Sequence, residues 1–202
     1  MSIYGDRAEQ AFYSGCNCSQ SAVLPFAEEI GMTREQVLKL VGGLGGGVGR
    51  MREVCGAFTG ITLVLGALYG FTDPKDKSAF YAEVQALARE FCARNGKGTL
   101  ICRELLGLEK AEGTPVAEER TAEYYQKRPC PMLVRVAADV MAEYMAAHPP
   151  PADAPAGERR YTKSKSTFLK GIFCYAVDHT NFARRRGADR LGARPHRLLP
   201  GL

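Results

Sequence analysis

The chain has 202 residues, a formal net charge of +5 and 46% hydrophobic residues, which together predict one globular domain with an appendage. The charge is uneven, because residues 151–202 carry +7 and the first 150 residues therefore carry −2. A body with this charge is not expected to bind nucleic acid, which requires an excess of Lys and Arg. The sequence opens without a basic leader followed by an apolar core, so we expect a cytoplasmic protein.

Histidine and cysteine usage narrows the chemistry further. All three histidines lie at position 148 or beyond it, so neither a His-activated nucleophile nor a His-ligated metal is expected before that position. Cysteines occupy positions 16, 18, 55, 92, 102, 130 and 174. In a cytoplasmic protein, seven cysteines favour catalysis, redox chemistry or metal binding over structural disulfides.

Two helices are predicted at the start of the chain. The first covers residues 5–13 and has apolar side chains on one side. The second covers residues 18–30, with Asn17 as its N-cap and Cys18 in its first turn. Pro25 is expected to kink this helix, because proline cannot donate the helical hydrogen bond.

A third helix is predicted from residue 34 to about residue 44. Thr33 and Gln36 have the spacing of a capping box at its start. Its expected apolar positions are Val37, Leu38, Leu40 and Val41.

A glycine-rich run follows at residues 42–49 and raises the possibility of a phosphate-binding loop. The run lacks the Gly-Lys-Ser/Thr ending of a P-loop, and no strand is predicted before it. We therefore interpret it as a segment of close backbone packing that approaches Cys55.

Residues 54–72 form the most apolar stretch of the sequence and predict a central helix buried by other helices. A membrane span is the alternative, but four glycines together with Thr59 and Thr62 argue against it. Gly56 and Gly60 form a Gly-x-x-x-Gly face, and Gly66 and Gly70 form another. Such a face lets a second backbone come close, and that backbone can belong to this chain, to the other copy in a homodimer or to a partner protein.

The remaining helices are predicted from capping and breaking signals. Asp73 and Pro74 are expected to start a helix that runs to about Arg94 and has Phe80, Val84, Leu87, Ala88 and Phe91 on its apolar face. Thr99 is expected to cap a short helix over residues 100–107, and residues 118–126 are a further helical candidate. Cys130 as cap and Pro131 as first residue predict a last helix that reaches residue 148.

These elements predict an all-α fold, a compact multi-helix bundle around a buried, glycine-rich central helix, with no strand. Residues 1–148 form the predicted domain, and residues 149–202 form a proline-rich linker and a basic tail that we expect to be mostly disordered. A short helix around residues 168–177 is compatible with the sequence. The alternative for the tail is electrostatic binding to nucleic acid or to an anionic membrane.

The sequence context of the cysteines suits thiolate chemistry. Cys18, Cys102 and Cys130 fall at predicted helix starts and Cys55 falls near one, where free amides and the helix dipole stabilise a thiolate. Four arginines lie near these cysteines in the sequence: Arg50, Arg52, Arg103 and Arg128. No pair has the Cys-x-x-Cys spacing of a thioredoxin motif or zinc knuckle. Cys92 and Cys174 are interpreted as ordinary packing residues.

Four segments in order resemble one known family. They are Asn17-Cys18-Ser19-Gln20, the glycine-rich run leading into Cys55-Gly56-Ala57-Phe58-Thr59-Gly60, Cys102-Arg103-Glu104-Leu105-Leu106-Gly107, and Cys130-Pro131. This pattern is similar to that of the C_GCAxxG_C_C family of redox-active proteins, and the resemblance covers residues 1–147. The Cys-Gly-Ala-x-x-Gly hexapeptide is its most specific part. Cys16 and the tail from Pro149 depart from the family pattern.

The resemblance implies that Cys18, Cys55, Cys102 and Cys130 are the functional set, as catalytic thiols or as metal ligands. It implies no particular reaction and leaves open whether the protein is an enzyme. Family genes often accompany transporter genes, which suggests a membrane transporter as partner. A related domain in split-Soret cytochromes is associated with an iron–sulfur cluster, which makes such a cluster a candidate cofactor.

Two classes of function therefore remain open from the sequence. The first is a redox protein with clustered thiolates, acting by dithiol/disulfide exchange with a partner protein or holding an iron–sulfur cluster, with structural zinc ranked lower. The second is a non-catalytic accessory or metal-handling protein that partners a transporter. For the tail we predict that it is dispensable for folding and for thiol chemistry.

Overall fold

The computed structural model of the chain describes residues 2–110 and 114–149. The predictions made for residues 150–202, including the short helix, Cys174 and the nucleic-acid or membrane alternative, lie outside the described residues. The described part contains eight α-helices: α1 (Ile3–Tyr13), α2 (Cys18–Val23), α3 (Arg34–Val41), α4 (Gly56–Tyr69), α5 (Lys77–Arg94), α6 (Cys102–Leu105), α7 (Ala122–Lys127) and α8 (Cys130–Ala147). No strand occurs among these residues, and the predicted all-α fold is confirmed.

Helix α4 lies at the centre of the bundle and packs against α2, α5 and α8. Its fully buried side chains include Ile61, Val64 and Leu65. Only a narrow face reaches solvent, where Leu63 is 39% exposed. None of the helices in the described part of the chain combines the length and the apolar character needed to cross a bilayer.

The close approach of α2 to α4 explains two of the glycines in the central helix. A Cβ atom at Gly60 would lie 3.0 Å from the Ser19 carbonyl oxygen, and one at Gly56 would lie 2.5 Å from Cys18 Sγ. The predicted role of this Gly-x-x-x-Gly face is confirmed, and the face is filled by α2 of the same chain. On the second face, the nearest tertiary neighbour of a Cβ at Gly66 is the Phe80 ring at 3.9 Å, so no described backbone of this chain packs closely there, and a partner at that face stays a prediction.

Helix α8 holds the first helix in place through both packing and charge. Ser2 caps α1, and its backbone N–H and hydroxyl donate to Asp139 at 2.7 and 2.6 Å. Arg135 of α8 pairs with Asp6 and Glu9 of α1. The two N-terminal turns of the chain are therefore anchored to the middle of α8.

Local capping signals placed several helix starts correctly. Asn17 and Thr33 both form capping boxes, with Gln20 and Gln36 as their respective partners. The ends of the predicted helices agree less well. Helix α2 stops at Val23 and continues only as a 3₁₀ turn, because Pro25 has no N–H for the carbonyl four residues earlier.

The other corrections concern helix ends and one apolar position. Helix α3 ends at Val41 rather than near residue 44, and Leu40, predicted on the apolar face, is 61% exposed. Pro74 begins a 3₁₀ turn, and α5 starts after it at Lys77. Helix α6 is shorter than predicted, and Thr99 accepts a hydrogen bond from the Ile101 N–H without being the N-cap.

Candidate functional site

Four cysteines, all at the starts of helices, line one cavity of about 130 Å³. Cys18, Cys102 and Cys130 are the first residues of α2, α6 and α8, and Cys55 is the N-cap of α4. They are the four cysteines that the family resemblance singled out. The fold thus brings together four thiols that are separated by up to 112 residues in the sequence.

The Asn17-Cys18-Ser19-Gln20 segment fixes the first thiol by connecting α2 to the chain around α3. The Asn17 side chain donates to the Gly42 carbonyl at 2.9 Å, and the Gln20 side chain donates to the Leu38 carbonyl at 3.0 Å. The buried Ser19 hydroxyl donates to the Val41 carbonyl at 2.7 Å. These bonds hold Cys18 against the glycine-rich loop, where its Sγ accepts the Gly46 N–H at 3.4 Å.

Cys55 and Cys102 are held side by side by a short antiparallel contact between the segments that precede α4 and α6. Val54 and Ile101 form an isolated β-bridge. The Cys55 N–H donates to the Leu100 carbonyl at 2.8 Å, and the Cys102 N–H donates to the Glu53 carbonyl at 2.6 Å. Both side chains are almost fully buried, with 4% and 6% exposure.

Cys130 is set by the prolines on either side of it. Pro129 occupies the N-cap position of α8, and Pro131 lies in the first turn, where the missing N–H costs nothing. The sequence predicted Cys130 as the N-cap of this helix, whereas Cys130 is its first residue and Pro129 is the N-cap. The cysteine still opens α8 and faces the cavity.

The loop between α3 and α4 has a strained backbone beside the thiols. Six of its residues have positive φ: Gly46, Gly47, Val48, Gly49, Arg50 and Arg52. For a β-branched residue such as Val48, at φ 60°, this conformation is strongly disfavoured, and such strain is concentrated at functional sites. Glycine is required at Gly47, where a Cβ would lie 2.7 Å from Cys102 Cβ. The predicted close packing of the glycine run is confirmed, although the thiols it approaches most closely are Cys18 and Cys102.

Burial and mutual repulsion favour the protonated form of three of the four thiols, so the thiolate stabilisation predicted for Cys55, Cys102 and Cys130 is wrong. Burial raises the pKa of Cys55 well above its ordinary value, and negative charge on Cys18 raises it further. Burial raises the pKa of Cys130 to about 12, again with a contribution from Cys18. Burial also raises the pKa of Cys102, where the charge of Arg52 and its hydrogen bond to the thiol act in the opposite direction. Cys18 is therefore close enough to influence all three other thiols.

Four arginines and one glutamate share the cavity wall with the cysteines: Arg50, Arg52, Arg120, Arg128 and Glu118. Three of the four arginines that lie near the cysteines in sequence are thus at the site. Arg103 is not among the lining residues and pairs with Glu53 at 3.2 Å. Arg120 and Glu118 were not predicted, because they lie on a segment without regular structure that carries no motif.

The other described cysteines do not line this cavity. Cys16 is buried, lies 4.0 Å from an Arg34 nitrogen and gives its carbonyl oxygen to Arg120. Cys92 lies on α5, where burial raises its pKa. All six described cysteines are free thiols. The structure thus singles out Cys18 rather than Cys16 as the first thiol of the site.

The fold and the cavity define a class of small all-α proteins with four cysteines at helix N-termini around one pocket. The family described as "Putative redox-active protein (C_GCAxxG_C_C)" matches residues 16–144, which is more than half of the chain. The chain belongs to this family. Neither the curated proteins nor the solved structures contain a significant match to it.

Proposed function

We propose that the protein is a thiol–disulfide redox protein in which Cys18 attacks and Cys55 completes the disulfide. The observation that carries this proposal is the convergence of four thiols from four helix starts on one small cavity. Cys55 is the partner that we assign to Cys18, because the residue after Cys55 packs so tightly on Cys18 that a Cβ at Gly56 would lie 2.5 Å from the Cys18 sulfur.

The environment of the thiols supports this division of roles. The thiolate is the nucleophile in disulfide exchange. Cys18 accepts the Gly46 N–H, which stabilises a sulfur that carries negative charge. The raised pKa values of Cys55 and Cys130 keep those groups as thiols near neutral pH. A site in which one sulfur accepts a backbone N–H and the neighbouring cysteines are protonated is suited to attack on a disulfide followed by resolution.

The proposed exchange balances with a disulfide as oxidant. The Cys18 thiolate attacks one sulfur of the oxidant and releases the other as a thiolate, which takes up a proton. The Cys55 sulfur then loses its proton and attacks Cys18, releasing the second thiol of the oxidant. The protein gains one disulfide, and the oxidant gains two electrons and two protons.

An iron–sulfur cluster is the second candidate for the same residues. The four thiolates of Cys18, Cys55, Cys102 and Cys130 form the Cys₄ donor set of such clusters, and the arginines of the wall would offset its negative charge. Bound there, a cluster would supply one-electron transfer. A single ion such as zinc fits less well, because no group of three or more His, Cys, Asp or Glu side chains within residues 2–110 and 114–149 could hold a metal ion.

Anaerobic purification with a redox titration separates the two candidates. The disulfide proposal predicts a colourless protein without stoichiometric iron or sulfide, whose free-thiol count falls by two over a narrow range of glutathione potential. Cys18→Ser should abolish this transition, whereas Cys92→Ser, on α5 and outside the cavity, should leave it unchanged. Stoichiometric iron and sulfide with visible absorption would contradict the disulfide proposal and support the cluster.

A further inference from the structure

The cavity wall is strongly cationic, and this excess charge is not needed to explain disulfide exchange alone. Arg50, Arg52, Arg120 and Arg128 contribute four positive charges, and Glu118 contributes one negative charge. The side chains of Arg52 and Arg128 are only 5% and 12% exposed. Guanidinium groups held away from water bind oxygen anions more strongly than exposed ones.

The four arginines do not have the same role. Arg120 is bound by the fold, because it donates to the carbonyls of Phe12 and Cys16 at 3.0 Å and lies over the Phe12 ring. The other three arginines share the Glu118 carboxylate. The arginines that contact the carboxylate in this wall are therefore Arg50, Arg52 and Arg128.

Glu118 already places an anionic group in this wall. Its Oε1 lies 3.7 Å from Arg50 and 3.8 Å from Arg52, and it also binds Arg128. The glutamate lies on an irregular segment, and its side chain is 43% exposed. The Glu118 carboxylate marks a position at which these arginines hold an oxygen anion, and another anion would bind there by displacing it.

The size of the cavity limits what such an anion can be. Its volume is about 130 Å³, slightly below that of an engineered cavity of about 150 Å³ that holds benzene. The space therefore accepts a molecule of about six non-hydrogen atoms. A nucleotide or a flavin is too large for it, whereas a tetrahedral or pyramidal oxyanion fits.

We propose that the cavity binds a small oxyanion of an element that accepts an electron pair, such as arsenate, in the position of the Glu118 carboxylate. Arg50, Arg52 and Arg128 bind its oxygens, and the thiols beside it reduce its central atom. This inference rests on the proposed dithiol function and assigns the electron acceptor of that site. The four thiols and the three arginines line the same cavity, so an anion held by the arginines shares that cavity with the reductant.

The reduction balances with two thiols per oxyanion. Cys18 attacks the arsenic atom, an S–As bond forms, and one arsenate oxygen leaves as water. Cys55 then attacks the Cys18 sulfur, the S–As bond breaks, and its electron pair stays on arsenic as arsenite. Dihydrogen arsenate, two thiols and one proton from solvent give arsenous acid, one disulfide and one water.

Binding is tested first with sulfate, a tetrahedral oxyanion that thiols do not reduce. Titration calorimetry on the reduced full chain is expected to show about tenfold tighter sulfate binding for Glu118→Gln, because the competing carboxylate is gone. Arg128→Gln and Arg50→Gln, made separately, are expected to weaken binding about tenfold each. Arg103→Gln removes a positive charge near Cys102 but outside the cavity and should change nothing. Since all variants share the basic tail, any anion binding by the tail cancels.

The inference is overturned if Glu118→Gln binds sulfate no more tightly than the wild type, or if the Arg50 and Arg128 variants behave like Arg103→Gln. Circular dichroism identifies any variant that fails to fold, and the second arginine variant then decides.

Reduction is tested with arsenate under anaerobic conditions, where one arsenite should appear for each disulfide formed. If oxidised glutathione produces the disulfide but arsenate does not, the oxyanion assignment fails and the dithiol function stands. If neither oxidant produces a disulfide, the proposed function itself fails.

Discussion

Replacing Gly56 with alanine tests whether tight packing of α2 on α4 builds the site. The added Cβ would lie 2.5 Å from Cys18 Sγ, 2.8 Å from the Leu44 carbonyl oxygen and 3.3 Å from the Ser19 backbone nitrogen. Two of these three neighbours are backbone atoms, so a side-chain rotation cannot relieve the clash. Overpacking of this kind costs about 1–3 kcal/mol, and the gain in helix propensity returns at most about 1 kcal/mol.

We therefore expect Gly56→Ala to lower the free energy of unfolding by about 1–2 kcal/mol. For a chain of this length, the melting temperature should then fall by up to about 4–8 °C. The assay is urea unfolding of the reduced protein followed by circular dichroism. The same variant should alter the alkylation rate of Cys18, whose sulfur is displaced.

Gly66→Ala is the matched control, because it lies in the same helix and its Cβ would meet only the Phe80 ring, at 3.9 Å. This variant should be neutral or stabilised by about 0.5–1 kcal/mol, since alanine is the better helix former. Equal stability of the two alanine variants would refute the argument that α2 and α4 require glycine at their closest approach.

Three further predictions concern the thiols. Arg52→Gln should raise the pKa of Cys102, because it removes a positive charge and a hydrogen bond that lower that pKa, and alkylation of Cys102 at pH 9 should slow accordingly. Cys130→Ser should flatten the alkaline loss of stability. The folded wild type keeps the Cys130 proton up to about pH 12, whereas the unfolded chain loses it near pH 9, so stability should fall with rising pH across that window by about 1.4 kcal/mol per pH unit. Cys16→Ser should leave disulfide formation intact, whereas Cys18→Ser should abolish it.

Each of these predictions has a measurement that decides it. Arg103→Gln is the control for Arg52, and an equal change in Cys102 alkylation for both variants would point to general electrostatics instead of the specific bond. For Cys130, urea titrations at pH 8, 9 and 10 should show the free energy of unfolding falling more steeply with pH in the wild type than in Cys130→Ser. Parallel decreases in the two proteins would contradict the raised pKa of Cys130. The disulfides of the cysteine variants are identified by peptide mapping. Loss of the disulfide in Cys16→Ser would show that Cys18 is wrongly assigned as the attacking thiol.

The helix starts could be predicted because their signals lie within a few residues of each other. Thr33 forms the predicted capping box with Gln36, and Asn17, predicted as an N-cap, forms a capping box with Gln20. Pro131 likewise indicates the first turn of α8. The four cysteines sit on such starts, but burial raises the pKa of Cys55, Cys102 and Cys130 and so reverses the predicted stabilisation of their thiolates.

Convergence of the thiols could not be derived from local signals, because it depends on tertiary contacts. The β-bridge between Val54 and Ile101 joins positions 47 residues apart. Glycine spacing was equally ambiguous: Gly56 and Gly60 face a helix, whereas Gly66 has the same kind of spacing and no backbone against it. Spacing identifies a smooth helix face but not its neighbour.

The charged part of the wall was the least predictable. Glu118 and Arg120 lie on an irregular segment, and only the folded chain brings them to the cysteines. The left-handed backbone at Val48 has no sequence signal beyond its glycine neighbours. The predicted homodimer and transporter partner remain predictions.

The most direct test of the account is the identity of the disulfide formed in the wild-type chain. The reduced protein is exposed anaerobically to a small excess of oxidised glutathione, alkylated, digested and mapped by mass spectrometry. We expect the first disulfide to join Cys18 and Cys55. A first disulfide that involves Cys16 or Cys92, or none at all among the four cysteines of the cavity, would contradict the account.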